Sequence, residues 1–233
     1  RVRAFPNAAA MPFFPHRTLT EPSPNPRSEP ARRTMRKPVA LAHASRLINH
    51  GPTVLVSSAH GGRRNLMAAA WSMPVEFTPP RIAVVIDKST YTGELVAASG
   101  AFALNIPCRA QADLAFAVGS TSGRASLAHG TDKFAEYGID TFDGPELGLP
   151  LVAGCIAWME CRAIAEPHTE QAYDTFFAEV VSAQADPRVF DGGKWRFGPE
   201  NAALHTLHHL GSGVFAVAAE EVRAKPLPGP RGR

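Results

Sequence analysis

The run Asp87-Lys88-Ser89-Thr90-Tyr91-Thr92 holds the densest local chemistry in the chain. Arg81–Asp87 (RIAVVID) reads as a buried strand leading into it. Thr92–Ser99 reads as a helix leading out, with Thr92 as the expected N-cap, Glu94 in the first turn and Gly100 after the last. A lysine, several hydroxyls and the unpaired N–H groups of a helix start therefore meet within a few residues. That combination suits an anion, and the phosphate of a small cofactor is its natural ligand. The plainer alternative is a capped helix beside a solvated lysine.

A second piece is Asn65-Leu66-Met67-Ala68-Ala69-Ala70-Trp71. Three successive alanines in a strand leave a flat surface with accessible main chain. A planar ring can approach such a backbone closely, with Trp71 and Met67 as apolar walls. The plainer alternative is a core strand packed tightly on a helix. Other groups carry less. His205, His208 and His209 have no carboxylate or cysteine at ligand spacing, so no metal site is expected. Gly119-Ser120-Thr121-Ser122-Gly123 has threonine where a nucleophile elbow needs serine. No GxGxxG and no phosphate-binding P-loop occurs. No side chain stands out as a catalytic acid, base or nucleophile, and none is assigned.

The elements that must position these pieces are mostly short strands. Thr53–Ala59 is a strand ending in a His60-Gly61-Gly62 turn. Asn65–Phe77 is apolar, but Pro74 excludes a continuous helix and predicts a break or bulge there. Pro79-Pro80 is a hinge. Ala101–Ile106, Cys155–Ala165, Thr175–Ala183 and Gly213–Ala218 read as further strands, Cys155–Ala165 through its alternation. Arg109–Val118 and Asp132–Tyr137 read as helices. Many strands with few helices predict a β-rich α+β domain with a closed or sandwiched sheet.

Composition narrows the class. The 233 residues are 45% hydrophobic and 19% charged, which suits a globular protein with one main core. The net charge of +3 is unevenly spread. Residues 1–38 carry eight basic groups against two acidic and hold eight of the 21 prolines. They read as a disordered leader, and Met35 is the expected biological start. Residues 39–223 carry 13 basic against 19 acidic groups, and residues 224–233 form a basic, Pro-rich tail. An acidic core with few aromatics argues against nucleic acid. Three cysteines without CxxC spacing suit a reducing cytoplasm. No run reaches the ~18 apolar residues of a membrane span.

Taken in order, the pieces resemble the flavin reductase-like, FMN-binding split-barrel family, which includes flavoredoxins and the reductase partners of two-component monooxygenases. The resemblance runs from about Lys37 to Arg223. Gly51-Pro52-Thr53-Val54-Leu55-Val56 is similar to the family's first barrel strand. Asn65–Trp71 is similar to its Asn-x-Met-Thr-x-Ser-Trp segment against the isoalloxazine. Lys88–Leu95 is similar to its FMN phosphate segment, and Gly100–Pro107 to the strand after that helix. Ser122-Gly123-Arg124, Asp132-Lys133-Phe134, Met159-Glu160-Cys161-Arg162 and His208-His209-Leu210-Gly211 follow in register.

The resemblance implies a Greek-key split β-barrel with a few peripheral helices. It implies FMN, with FAD as the alternative, near the interface of a homodimer. NAD(P)H would be a transient co-substrate that passes a hydride to the flavin, and an oxygenase would be a partner. Lys88, Ser89 and Thr92 would hold the phosphate. Asn65, Met67, Ala68, Ala69 and Trp71 would line the ring. The chain departs from the family where Ala68 and Ala70 replace Thr and Ser. It departs again at Tyr173-Asp174-Thr175-Phe176-Phe177-Ala178-Glu179-Val180, where the family has His-Asp-x-Phe-x-Gly-Glu-Val with its His on the nicotinamide side. The expected activity is NAD(P)H-dependent flavin reduction. The alternatives are a flavin-bound electron carrier fed by a protein, and a binding module on a degenerate barrel.

Overall fold

The computed structural model describes residues 51–224. The expectations for the leader and tail lie outside these residues. The chain opens with strands β1 (Val54–His60) and β2 (Arg63–Ala69), joined as an antiparallel hairpin. Gly61 and Gly62 make the turn with φ of 57° and 74°, a region that side chains with a Cβ rarely enter. The chain then breaks at Ala70-Trp71 and resumes as β3 (Ser72–Phe77), which pairs with β4 (Pro80–Val85). The break precedes Pro74, and the bulge expected near the proline is present as a register shift against β4 between Pro74 and Glu76; the edge position of β3 tolerates the missing N–H.

Helix α1 (Tyr91–Ser99) follows β4 and leads through Gly100 into β5 (Ala101–Ile106). A 3₁₀ turn at Arg109–Gln111 precedes α2 (Ala112–Ser120), so the single helix expected over Arg109–Val118 is split and displaced towards its C-terminus. Short helices α3 (Gly123–Ala128) and α4 (Lys133–Glu136) come next. The strand pair β6 (Thr141–Asp143) and β7 (Pro150–Val152) leads to β8 (Ala157–Ile164), α5 (Pro167–Tyr173) and the long β9 (Thr175–Ala185). Two small hairpins close the described chain: β10 (Phe190–Asp191) with β11 (Lys194–Trp195), and β12 (Leu207–Gly211) with β13 (Val214–Val217). Helices α3 and α5 have too few turns to leave a periodic signal in the sequence.

The main sheet is antiparallel, in the order β2-β1-β5-β8-β9-β4-β3. Its two edges, β2 and β3, are consecutive in sequence, so the sheet must curl to bring them together. One buried cluster collects Val54 and Val56 from β1, Leu104 from β5, Cys161 from β8, Phe176 from β9 and Val84 from β4, with Met67 and Ala69 of β2 packed against it. The strand registers put these side chains on one face of the sheet, and residues spread from edge strand β2 across to β4 could not share one interior if that sheet were flat. A second cluster lies outside this wall. It packs Ala115 and Val118 of α2 and Phe134 of α4 on Leu55 and Leu66. Alternation along β2 thus sends Met67 and Ala69 inward, and Leu66 and Ala68 towards α2. Leu66 is fully buried, which contributes about 1.5–3 kcal/mol and holds the outer face of β2, while Met67, Ala68 and Ala69 are only half-buried.

Candidate functional site

The start of α1 is built around Thr90. Its hydroxyl accepts from Gly93 N at 3.0 Å, which makes it the N-cap. Thr92, the expected cap, lies inside the helix with no exposed surface. A cap must stand outside the helix in extended backbone, and Thr90 does so at φ −79°, ψ 153°. The Thr92 hydroxyl instead accepts from Asn65 Nδ2 at 2.9 Å, tying β2 to the helix start. The Thr90 hydroxyl also lies 3.9 Å from the Met67 sulfur. Asn65, Met67, Thr90 and Thr92 therefore form one group. Gly123 closes on it, since a Cβ there would stand 2.3 Å from Asn65 Oδ1.

The loop before α1 holds the charges. Ser89 N donates to Asp87 Oδ1 at 2.7 Å; the Ser89 hydroxyl first, then this backbone bond and nearby Lys88, keep the Asp87 carboxyl below its ordinary range. Lys88 Nζ donates to Gln171 O at 2.6 Å and pairs with Asp174 Oδ1 at 3.1 Å. The structure thus turns this exposed lysine towards the end of α5. Arg124, at the start of α3, donates from Nη1 to Ser89 O at 2.6 Å and pairs with Glu94 of α1. Two cations flank the Ser89–Thr90 segment. The second was visible in the sequence only as part of a motif, because 34 residues separate it from Thr90 and no local pattern joins them.

A cleft of about 250 Å³ opens at the other end of β2. Ala68, Ala69 and Ala70 form one wall, and Ala115, Phe116, Gly119 and Ser120 of α2 another. Thr53, His209 and the Ser212–Gly213 turn complete it. Small residues keep it open and narrow. A Cβ on Gly119 would meet the Ala68 Cβ at 3.1 Å, and one on Gly213 would meet the Phe116 ring at 2.9 Å. Trp71 is half exposed just beyond the alanines. The two groups on β2 lie some four residues apart, about 13 Å of extended chain. The α2 wall and the β12–β13 turn were not assigned from sequence, because only folding brings them to the alanines.

The same region holds the unmet hydrogen-bonding capacity. Among the described residues, three buried side-chain oxygens have no partner: Thr53 Oγ1, Asn65 Oδ1 and Tyr91 OH. Buried polar atoms are normally paired, so each such atom needs a reason. Thr53 lines the cleft, Asn65 anchors the helix start, and Tyr91 is the first residue of α1. The Thr53 and Tyr91 hydroxyls can donate, whereas Asn65 Oδ1 only accepts and lies under Gly123. Donors at the cleft and at the helix start fit a flat ring with acceptor edges and a phosphate, so these residues suit a flavin mononucleotide.

The remaining candidates separate. His205 is buried and held by Gly198 O and Asn201 Oδ1. His209 packs on Phe215, and His208 meets the Thr206 hydroxyl. Among the described residues no three His, Cys, Asp or Glu side chains gather as a ligand set. Burial pushes the Cys161 thiol up to about 12 and raises Cys155 further, so neither forms a reactive thiolate. No helix of the described residues is long and apolar enough to cross a membrane.

Comparison with known proteins places the fold in a family. The flavin reductase like domain matches residues 46–201. The Escherichia coli (strain K12) protein YddH is 53% identical over 190 residues, covering 80% of this chain and 97% of that one. The crystal structure of an FMN-binding domain of a flavin reductases-like enzyme from Shewanella baltica superposes with a TM-score of 0.70 at 42% identity, covering 80% of this chain and 96% of that one. A Streptomyces globisporus NADH-dependent FAD reductase is 28% identical over 168 residues, 66% of this chain and 85% of that one. The curled antiparallel sheet with its β2–β3 opening is the split barrel of these proteins, and the chain belongs to the flavin reductase-like family.

Proposed function

We propose that this protein binds FMN and oxidises NAD(P)H by taking its hydride on the flavin. The observation that carries the reading is the placement of two unpartnered buried hydroxyls, Thr53 at the cleft and Tyr91 in the first turn of α1. A bound flavin supplies the hydride acceptor, and the chain supplies orientation and charge. Ala68, Ala69 and Ala70 offer main chain to the ring, with Trp71 as a wall and Asn65 and Met67 beneath. Edge strand β2 retains main-chain groups that no further strand pairs, and these stand in for the hydroxyls absent at Ala68 and Ala70. Ser89, Thr90 and the first-turn amides of α1 receive the phosphate, with Thr92 bracing Asn65. Lys88 and Arg124 neutralise it, Lys88 by exchanging Asp174 for the phosphate.

The other partners follow from exposure and from the resemblance. Met73, Val75 and Phe77 stay exposed on edge strand β3, Phe77 at 92%, and Trp71 is half exposed just before it. An apolar edge of this kind invites a second copy, in support of a homodimer. Three free, buried cysteines support a cytoplasmic setting. An oxygenase that consumes the reduced flavin is the acceptor the family resemblance supports.

Titration with FMN, followed by anaerobic addition of NADH and then NADPH, tests the reading. Flavin fluorescence is expected to quench on binding, and the 450 nm band to bleach with at least one nicotinamide. Protein that leaves FMN fluorescence unchanged would refute it. One observation favours a second reading, an electron carrier fed by a protein. Tyr173, 65% exposed, sits beside the Asp174–Lys88 pair where the family has histidine. Binding without bleaching by either nicotinamide selects that carrier.

A further inference from the structure

Lys133 is 1% exposed, an unusual place for an ammonium. Its Nζ donates to Leu66 O at 3.0 Å and to Val118 O at 2.7 Å. None of the ion pairs among the described residues includes it. The charged groups around it are otherwise engaged. Asp132 caps α4 and pairs with Arg64 of β2, while the Glu136 carboxylate accepts from the Ser126 hydroxyl of α3. Glu136 is the one whose charge acts on Lys133. Val118 lies in the last turn of α2, where carbonyls lack intrahelical partners and the helix dipole is negative.

The two acceptors define what the lysine does. Leu66 precedes Ala68 by two residues on β2, and Val118 directly precedes Gly119 on α2. Ala68 and Gly119 both line the cleft and pack closely where its two walls meet. One ammonium thus ties both cleft walls, from a depth of roughly 7 Å along the strand.

We propose that Lys133 is a positioning residue for the cleft's ligand: it fixes the β2–α2 spacing and places a positive charge beneath the ring, favouring the reduced form of a bound flavin. This rests on the flavin reading above. Reduction of the ring by two electrons with uptake of one proton leaves it richer by one negative charge, which a buried cation within the protein stabilises. Nicotinamide or dithionite supplies the electrons.

The two parts of the role can be separated. Burial lowers the Lys133 pKa to about 8, with Glu136 opposing the shift. A neutral amine still has two N–H donors for its two carbonyls. Raising the pH therefore removes the charge and leaves the tie, whereas Lys133→Met removes both.

The test measures FMN affinity and the two-electron potential of bound FMN, by dithionite titration from pH 6.5 to 9.5. Wild type, Lys133→Met and Glu136→Gln are compared. In the wild type, preference for reduced over oxidised FMN should fall about tenfold as pH crosses 8, beyond the slope in Lys133→Met; tenfold is about 30 mV for two electrons. Glu136→Gln should move that inflection to lower pH. Lys133→Met should also weaken oxidised FMN about tenfold or more, because two carbonyls lose their donor and the cleft loses its tie. Bound FMN with no inflection in the wild type, and a potential unchanged in Lys133→Met, overturns the role of Lys133 and leaves the flavin reading standing. If Lys133→Met fails to fold, the wild-type inflection and its displacement in Glu136→Gln decide. Wild type that binds no FMN overturns both.

Discussion

The two ends of β2 are built on opposite plans. At Asn65 the strand is knitted to its surroundings, with a side-chain bond to Thr92, Gly123 closing over it and Thr90 capping the adjacent helix. At Ala68–Ala70 it is bare, faced by a glycine and a phenylalanine across a narrow space. The knitted end fixes a helix start, whose N–H groups recognise an anion only if their direction is set. The bare end accepts a surface, which needs space and flatness more than bonds. On the proposed reading one strand serves a charged terminus and an apolar plane, because its side chains change from polar to minimal within four positions.

That contrast can be broken at each end. The largest effect is expected from filling the bare end. Ala68→Leu should collide with Gly119 and occupy the cleft, weakening FMN by about a hundredfold or more while overpacking costs about 1–3 kcal/mol. Fluorescence titration and a thermal melt check the two parts, and riboflavin should lose affinity as FMN does. Asn65→Ala comes next. It frees Thr92 from its partner and should weaken FMN about tenfold, with a stability loss of about 1–2 kcal/mol in urea unfolding.

Lys88→Ala should discriminate between the ends. It should weaken FMN several-fold, about tenfold at low salt, and leave riboflavin unaffected. Stability should change by less than about 1 kcal/mol, because the Lys88–Asp174 pair is largely exposed. Equal losses for riboflavin and FMN would place the phosphate elsewhere. The smallest effect on binding is expected from Thr90→Ala. Loss of the cap should lower stability by about 1 kcal/mol and weaken FMN only a few-fold.

Much of this site was legible in the chain. Asn65 and the alanine run, and the lysine and hydroxyls before a helix, were recognisable because strand period and helix capping are local properties. The exact cap was not, since Thr90 and Thr92 are equally good residues and only backbone direction separates them. The bulge near Pro74 was legible because proline is a visible signal, and the register against β4 does shift there. The break at Ala70-Trp71 carries no such signal, because it arises where β2 and β3 leave for opposite edges of a curled sheet.

The sequence by itself determined the hydrophobic alternation of the strands, the helix that starts beside Lys88, and the membership of the chain in its family. These depend on residue types a few positions apart. Tertiary structure alone decided that Arg124 reaches Ser89, that Lys88 turns to Asp174, and that Lys133 ties Leu66 to Val118. Those contacts join residues 15 to 86 positions apart in the chain. Their chemistry is common to many solvated side chains, and only burial and the closing of the barrel select the partners.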